Sequence, residues 1–265
     1  MKKVGIIGNG FVGSALVNGF ALHADVKVYD KSTNKTVNEY DETINSDYVF
    51  ICVPTPMAKG GECDLSIMDS VLGELAERQE NPNAINIIKS TVPPGTLETY
   101  SERYPNLKLV SNPEFLTERS ANLDFINSTR IILGGSPEHT EKVALLYRDR
   151  FPYKKIIQTD FATSQFVKYM CNCFFATKVS FMNEMFQAAK VLNVNWDDAR
   201  NGFISDGRVG NSHLDVPGHD GQLGFGGTCF PKDINSFISV FEKIGVDPKV
   251  LKAAWEKNLE VRDKV

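Results

Sequence analysis

Apolar residues in the first part of this chain come in short unbroken runs. KVGII (3–7), VKVYD (26–30), DYVFICV (47–53), INIIKST (85–91), LKLVSN (107–112), TRIILGG (129–135) and KKIIQT (154–159) each read as a strand. Between them, residues 11–22, 66–79, 96–103 and 137–149 carry helical periodicity. Strands that alternate with helices at this spacing predict βαβ units and a parallel sheet of six to eight strands. The runs are continuous rather than alternating, so both faces of the sheet are expected to be covered.

Beyond residue 159 the pattern changes. Val167, Met170, Cys171, Phe174, Phe175, Met182, Met185, Phe186 and Ala189 recur at helical spacing and predict one long buried helix. A shorter helix is expected over 196–203. Residues 205–227 are glycine-rich and show no period, as functional or disordered loops do. Two helices follow at 231–243 and 248–264, divided by Gly245 and Pro248. The expected organisation is a doubly wound α/β domain over 1–159 and an all-α central domain over 160–265. The stripe on the long helix exceeds what one small domain needs, so a homodimer is expected.

Composition narrows the partners. The 265 residues are 42% hydrophobic and 23% charged, with net charge −4. No block of lysine and arginine appears, which argues against nucleic acid or an anionic membrane as partner. No apolar stretch approaches the roughly 18 residues of a membrane span, so a soluble cytoplasmic protein is expected. Five scattered cysteines do not form a disulfide framework. Cys52, Cys171 and Cys173 read as small buried hydrophobes and Cys63 as an exposed loop residue. No metal site is expected.

Four features suggest chemistry. First, Gly8, Gly10 and Gly13 make G-x-G-x-x-G between the first strand and the first helix. The first glycine permits the turn, the second lets a pyrophosphate approach and the third lets the helix pack on the strand. The context is that of a Rossmann-type domain, and Asp30 ends the second strand, placed to bind ribose hydroxyls and favour NAD over NADP. Second, the turns CVPTP (52–56), STVPPGT (90–96) and NPEF (112–115) follow strand ends, where ligands of open α/β sheets bind. Thr55, Thr91 and Glu114 would share one crevice there, or the three turns are ordinary turn chemistry. Third, Lys168 and Asn172 lie four apart on one helical face, with the lysine either snorkelling to water or set in a cleft. Fourth, GFGGTCFPKD (224–233) sets Cys229 just before a helix opened by Pro231. The helix end and nearby Lys232 favour thiolate.

Taken together, GNGFVG (8–13), STVPPGT (90–96), NPEFLTE (112–118), the segment with Lys168 and Asn172, and GFGGTCFPKD (224–233) resemble the UDP-glucose/GDP-mannose dehydrogenase family, in family order across almost the whole chain. The resemblance implies oxidation of the C6 alcohol of a nucleotide sugar, most simply UDP-glucose, to a carboxylate with two NAD. It implies that Cys229 captures the aldehyde as a thiohemiacetal that becomes a thioester. It also implies that Lys168 and Asn172 stabilise the oxyanion, and that Thr91, Glu114, Glu118 and Asp233 handle water and protons. Cofactor contacts would come from Gly8, Asn9, Gly10, Phe11, Val12, Gly13, Asp30, Lys31, Val53, Thr55, Thr91 and Lys232. Substrate contacts would come from Glu114, Phe115, Leu116, Lys168, Asn172, Arg208, Phe225, Gly226 and Gly227, with Arg208 reaching across a dimer in some members. Two departures stand out: Arg119 replaces a usual glycine, and the chain stops where relatives continue into a C-terminal nucleotide-binding domain. A weakly active NAD-binding homologue that works by association is the alternative. A β-hydroxyacid-type dehydrogenase would not need Cys229.

Overall fold

A computed structural model describes residues 1–262. The strands are β1 (Lys3–Ile7), β2 (Asp25–Tyr29), β3 (Tyr48–Ile51), β4 (Ile85–Ile88), β5 (Lys108–Ser111), β6 (Arg130–Gly134) and β7 (Lys155–Thr159). They form one sheet in the order β2-β1-β3-β4-β5-β6-β7. All neighbours are parallel except β5 and β6, which meet antiparallel through Ser111 and Gly134. The expectation of a fully parallel sheet is corrected at that point. Hydropathy does not distinguish the two directions, because both give a period of two.

The alternation of side chains explains why the central strands are apolar on both faces. Val4, Ile6, Phe50, Ile87 and Val110 point into one core, where they meet α1 (Phe11–Phe20), α5 (Ala121–Asn127) and α6 (Pro137–Arg150). Their neighbours Ile7, Val49, Ile51, Ile88 and Leu109 point into the other, against α2 (Tyr40–Ile44), α3 (Ser66–Arg78) and α4 (Thr96–Arg103). The doubly wound class is therefore built from the sheet outward. Phe20 anchors the first core, its ring 5.8 Å from Phe50, 5.9 Å from Phe125 and 5.7 Å from Tyr147. The short helices α2 and α5 were not predicted; each is too brief to show a period.

The chain divides into two compact units. One comprises Met1–Thr55 and Asp64–Lys168, the other Pro56–Cys63 and Tyr169–Val265. The second unit contains most of α7 (Phe161–Val191), with α8 (Trp196–Ile204), α9 (Phe230–Lys243) and α10 (Lys249–Val261). Residues 263 and 264 of the predicted last helix lie outside the described residues. Tyr169, Cys173 and Ala176 of α7 pack with Phe225, Ile234, Phe237 and Ala254. The predicted stripe on α7 is only partly buried. Met182 and Ala189 are buried, whereas Met170, Phe174 and Met185 are exposed, as is Phe181. The inward line is drawn instead by small and polar residues: Asn172, Cys173, Ala176, Ser180 and Asn183. Hydrophobicity alone selects the wrong edge of this helix. Cys52 and Cys171 are likewise half-buried rather than buried, and Cys63 is half-buried rather than exposed.

Charged side chains interrupt the interior of the first unit, Lys89, Glu114 and Lys168 among them. Lys89, just past β4, is buried and donates to Asn112 Oδ1 at 3.3 Å, which also accepts from the Tyr147 hydroxyl at 2.6 Å. Burial brings its ammonium down to about 8, against the opposing pull of Cys52 and Glu114.

Two outcomes test this packing. A Cβ on Gly19 would lie 2.2 Å from the Phe125 ring, whereas one on Gly202 in α8 meets nothing within 4 Å. Gly202→Ala should stabilise by roughly 0.5–1 kcal/mol. Gly19→Ala, although also helical, should destabilise by about 1–3 kcal/mol through overpacking; denaturant titration reads both signs. The second outcome concerns Lys89. The unfolded chain keeps this proton to about pH 10.4, and the folded chain only to about 8. The cost of the buried charge is thus full below pH 8 and gone above about 10.4. Lys89→Met should be more stable than the natural protein at pH 7 by on the order of 3 kcal/mol. The difference should shrink as pH rises through that interval.

Candidate active-site residues

The glycine turn after β1 separates two requirements. Gly8 has φ +93°, and a Cβ there would lie 2.6 Å from the Cys52 carbonyl oxygen. A Cβ on Gly13 would lie 1.9 Å from the Gly8 carbonyl oxygen. The fold itself demands these two glycines. A Cβ on Gly10 meets nothing within 4 Å, so Gly10 leaves space that protein atoms do not use. Gly10 is also the cap of α1, whose amino end has no side-chain cap and no acidic residue in its first turn. Its N–H groups and positive dipole end are suited to a pyrophosphate. Phe11 and Val12 open that turn half-buried.

Asp30 has a part in shaping the turn. Its Oδ2 accepts from the Asn9 N–H at 2.7 Å and its Oδ1 from the Ser32 N–H at 2.8 Å. The Asn9 amide in turn donates to the Lys35 carbonyl at 2.8 Å, while Lys31 is exposed. The loops after β3 and β4 are tied together. Thr55 Oγ1 donates to the Thr91 carbonyl at 2.8 Å, and Ser90 Oγ to the Val53 carbonyl at 2.6 Å. A bare helix end, an open glycine and a carboxylate at the second strand end together fit a dinucleotide such as NAD.

In the same unit, Lys168 Nζ donates to Glu114 Oε1 at 2.9 Å, with both side chains buried. The Leu116 N–H donates to Glu114 Oε2 at 2.6 Å. Burial pushes the Glu114 carboxyl up, but the charge and hydrogen bond of Lys168, the Leu116 N–H and the charge of Lys89 outweigh it and hold the group ionised below its ordinary range. Phe115 is half-buried, with Arg130 4.6 Å from its ring centre. Glu118 and Arg119 are exposed in a single 3-10 turn. Cys52, near Lys89 and Glu114, has its thiol pushed up to about 12 by burial. Lys89 was missed as a member of this charged group. Its signal was a lysine at the end of the run INIIKST.

In the second unit, Cys229 is the residue that caps the amino end of α9, and Pro231 sits in the first turn. The Asp233 N–H donates to the Cys229 carbonyl at 2.8 Å, the first bond of that helix. The Asp233 side chain is 1% exposed; its Oδ2 accepts from Asn172 Nδ2 at 2.6 Å and its Oδ1 from Lys232 Nζ at 2.5 Å. Lys232, expected at the cofactor, is thus paired with Asp233 in this structure. Thr228 Oγ1 lies 3.7 Å from the Cys229 sulfur. Arg208 is exposed and forks onto Asp206. Phe225 is a core residue beside Trp255 and Phe230 rather than an open surface. The Cβ direction of Gly226 is filled by the Arg262 guanidinium, whereas that of Gly227, at φ +77°, is open. Among the described residues, no cluster of three or more His, Cys, Asp or Glu side chains could hold a metal, and no helix is long and apolar enough to cross a membrane.

Comparison with known proteins agrees with this reading of the chain. Residues 26–150 match the NAD binding domain of the UDP-glucose/GDP-mannose dehydrogenase family, and residues 162–260 match its central domain. A UDP-glucose 6-dehydrogenase of Rickettsia conorii is 36% identical over 231 residues, which cover 84% of this chain and 52% of that protein. This chain spans about half the length of the first such curated relatives. The solved UDP-glucose dehydrogenase of Pyrobaculum islandicum superposes with a TM-score of 0.86 at 28% identity, over 98% of this chain and 68% of that one. A 3-hydroxyisobutyrate dehydrogenase of Mycobacterium tuberculosis gives 0.78 at 16% identity, over 98% and 93% of the two chains, a likeness of fold alone. With both domain matches in sequence order, and with the glycine turn and Cys229 placed as described, the chain belongs to the UDP-glucose/GDP-mannose dehydrogenase family.

Proposed function

We propose that this chain carries the chemistry of an NAD-dependent nucleotide-sugar 6-dehydrogenase, which oxidises the C6 alcohol of a UDP-hexose, UDP-glucose first among them, to the carboxylate. The observation that carries the proposal is Cys229 at the amino end of α9, with the buried Asp233 carboxylate and Asn172 behind it. A thiol at the positive end of a helix is favoured as thiolate and is a competent nucleophile.

Each sugar consumes one water and two NAD and yields the acid, two NADH and two protons. NAD, when bound, accepts the hydride at each oxidation. Glu114, held ionised by Lys168, takes the proton of the alcohol, and the Lys168 ammonium faces the oxygen as negative charge grows on it. The Cys229 sulfur adds to the C6 aldehyde to form a thiohemiacetal. Loss of the second hydride leaves a thioester, which water cleaves to the carboxylic acid while the thiol is restored. Asn172 Nδ2 donates to the oxyanion, and Asp233 orients water. The α1 amino end and Gly10 would hold the pyrophosphate of NAD, and Asp30 a ribose.

NADH formation on a panel of UDP- and GDP-sugars tests the activity directly. The expected result is two NADH per UDP-hexose with carboxylate as product. Cys229→Ser should bind NAD normally and form carboxylate at least about 10³-fold more slowly. Full carboxylate production by that variant contradicts the covalent route, and no NADH on any sugar contradicts the activity.

A homodimer joined along α7 is also proposed. Met170, Phe174, Phe181 and Met185 are each more than a third exposed on that helix, an apolar face of the kind that other subunits cover. Light scattering at micromolar concentration should give twice the chain mass, and Phe174→Glu should shift it toward the monomer. A monomeric natural protein overturns this.

A further inference from the structure

The segment before Cys229 is gripped by side chains far from it in sequence. Asn258 of α10 is fully buried and behaves as an extra strand for one residue: its Oδ1 accepts from the Phe225 N–H at 2.6 Å, and its Nδ2 donates to the Phe225 carbonyl at 3.0 Å. Asn183, deep on α7, accepts from the Gly224 N–H at 3.0 Å. Arg262, directly after α10, donates to the Leu223 carbonyl at 3.1 Å and to Asp220 Oδ2 at 2.5 Å. Its side chain is 7% exposed.

Two glycines of GFGG are explained by these partners. A Cβ on Gly224 would lie 2.4 Å from Asn258 Oδ1, at a φ of +67° that already disfavours side chains. A Cβ on Gly226 would lie 2.4 Å from an Arg262 nitrogen. A guanidinium usually swings away from such an intrusion at little cost. This one is committed to Asp220 and to the Leu223 carbonyl, so an alanine at 226 must break those bonds to make room.

We propose that Asn258 and Arg262 are positioning residues, which hold Leu223–Gly226 as a preformed template and thereby set the approach to Cys229. The functional part of this inference rests on the dehydrogenase reading above; the structural part does not. Neither residue touches reacting atoms. Asn258 reaches the segment from α10 and Arg262 from the residue that ends it, whose N–H donates to the Asn258 carbonyl at 3.0 Å, and Asn183 braces the segment from α7.

The test uses the full chain, with Arg262→Ala, Arg262→Lys, Asn258→Ala, Gly226→Ala and the Gly226→Ala/Arg262→Ala pair. Hydrogen exchange at the Gly224 and Phe225 amides is read without substrate. Arg262→Ala and Gly226→Ala should each speed that exchange at least tenfold, with amides of the sheet unchanged. The double variant should be no faster than Arg262→Ala alone, because both changes evict the same guanidinium. Arg262→Lys, which keeps the charge for Asp220, should restore part of the protection. In turnover assays the Arg262→Ala variant should raise KM for the nucleotide sugar or lower kcat by about tenfold while leaving KM for NAD within twofold. If Asn258→Ala fails to fold, the Arg262 and Gly226 variants still decide the matter. Exchange within twofold of the natural protein in Arg262→Ala overturns the proposal. So do additive effects in the double variant, which would mean that Gly226 is needed for another reason. If the natural chain turns over no sugar, the dehydrogenase reading fails, and the exchange results still decide whether the template exists.

Discussion

A buried carboxylate with no slack organises the second unit. Asp233 is almost wholly out of water, and an unpaired charge there would cost several kcal/mol. Its side chain is therefore committed to Asn172 and Lys232, and its backbone N–H to the Cys229 carbonyl. Those bonds fix the first turn of α9 against α7. Cys229 is then the last residue before the positive end of the helix. The chemistry proposed for the cysteine follows from where the carboxylate must find its partners.

The first unit solves a similar problem with Glu114. Burial alone would neutralise it, but Lys168 and the Leu116 N–H keep it ionised. Lys89 adds a further positive charge at the cost of its own proton affinity. Among the described residues, each unit thus carries a buried carboxylate bonded to a lysine, Glu114 to Lys168 in the first and Asp233 to Lys232 in the second. Glu114, Lys89 and Asp233 are all buried.

Much of this was legible beforehand, and the reasons are particular. The strands are legible because a sheet covered on both faces carries apolar runs, most fully in its central strands β1 and β3, whereas the edge strands β2 and β7 mix in polar residues. The glycine turn was found because Gly8 and Gly13 have no tolerable substitute. The antiparallel entry of β6 was not legible, since strand direction leaves no mark on hydropathy. Nor was the inward line of α7, because Asn172, Ser180 and Asn183 face inward for hydrogen bonds rather than for hydrophobicity. The sequence places Gly226 and Gly227 at the substrate. Gly227 does leave room for a ligand, whereas Gly224 and Gly226 are occupied by Asn258 and Arg262, residues more than thirty positions away whose role only tertiary structure reveals.

The central claim is that the amino end of α9 makes Cys229 the reactive thiol of this chain. Competitive alkylation with limiting iodoacetamide at neutral pH, read cysteine by cysteine by peptide mass spectrometry, tests it most directly. Burial holds the thiols of Cys52 and Cys173 well above their ordinary range, so both serve as slow internal references. The account predicts that Cys229 is labelled fastest of the five, and that NAD with UDP-glucose slows it selectively. Labelling of Cys63 or Cys171 ahead of Cys229, or a Cys229 rate indifferent to both ligands, would contradict it.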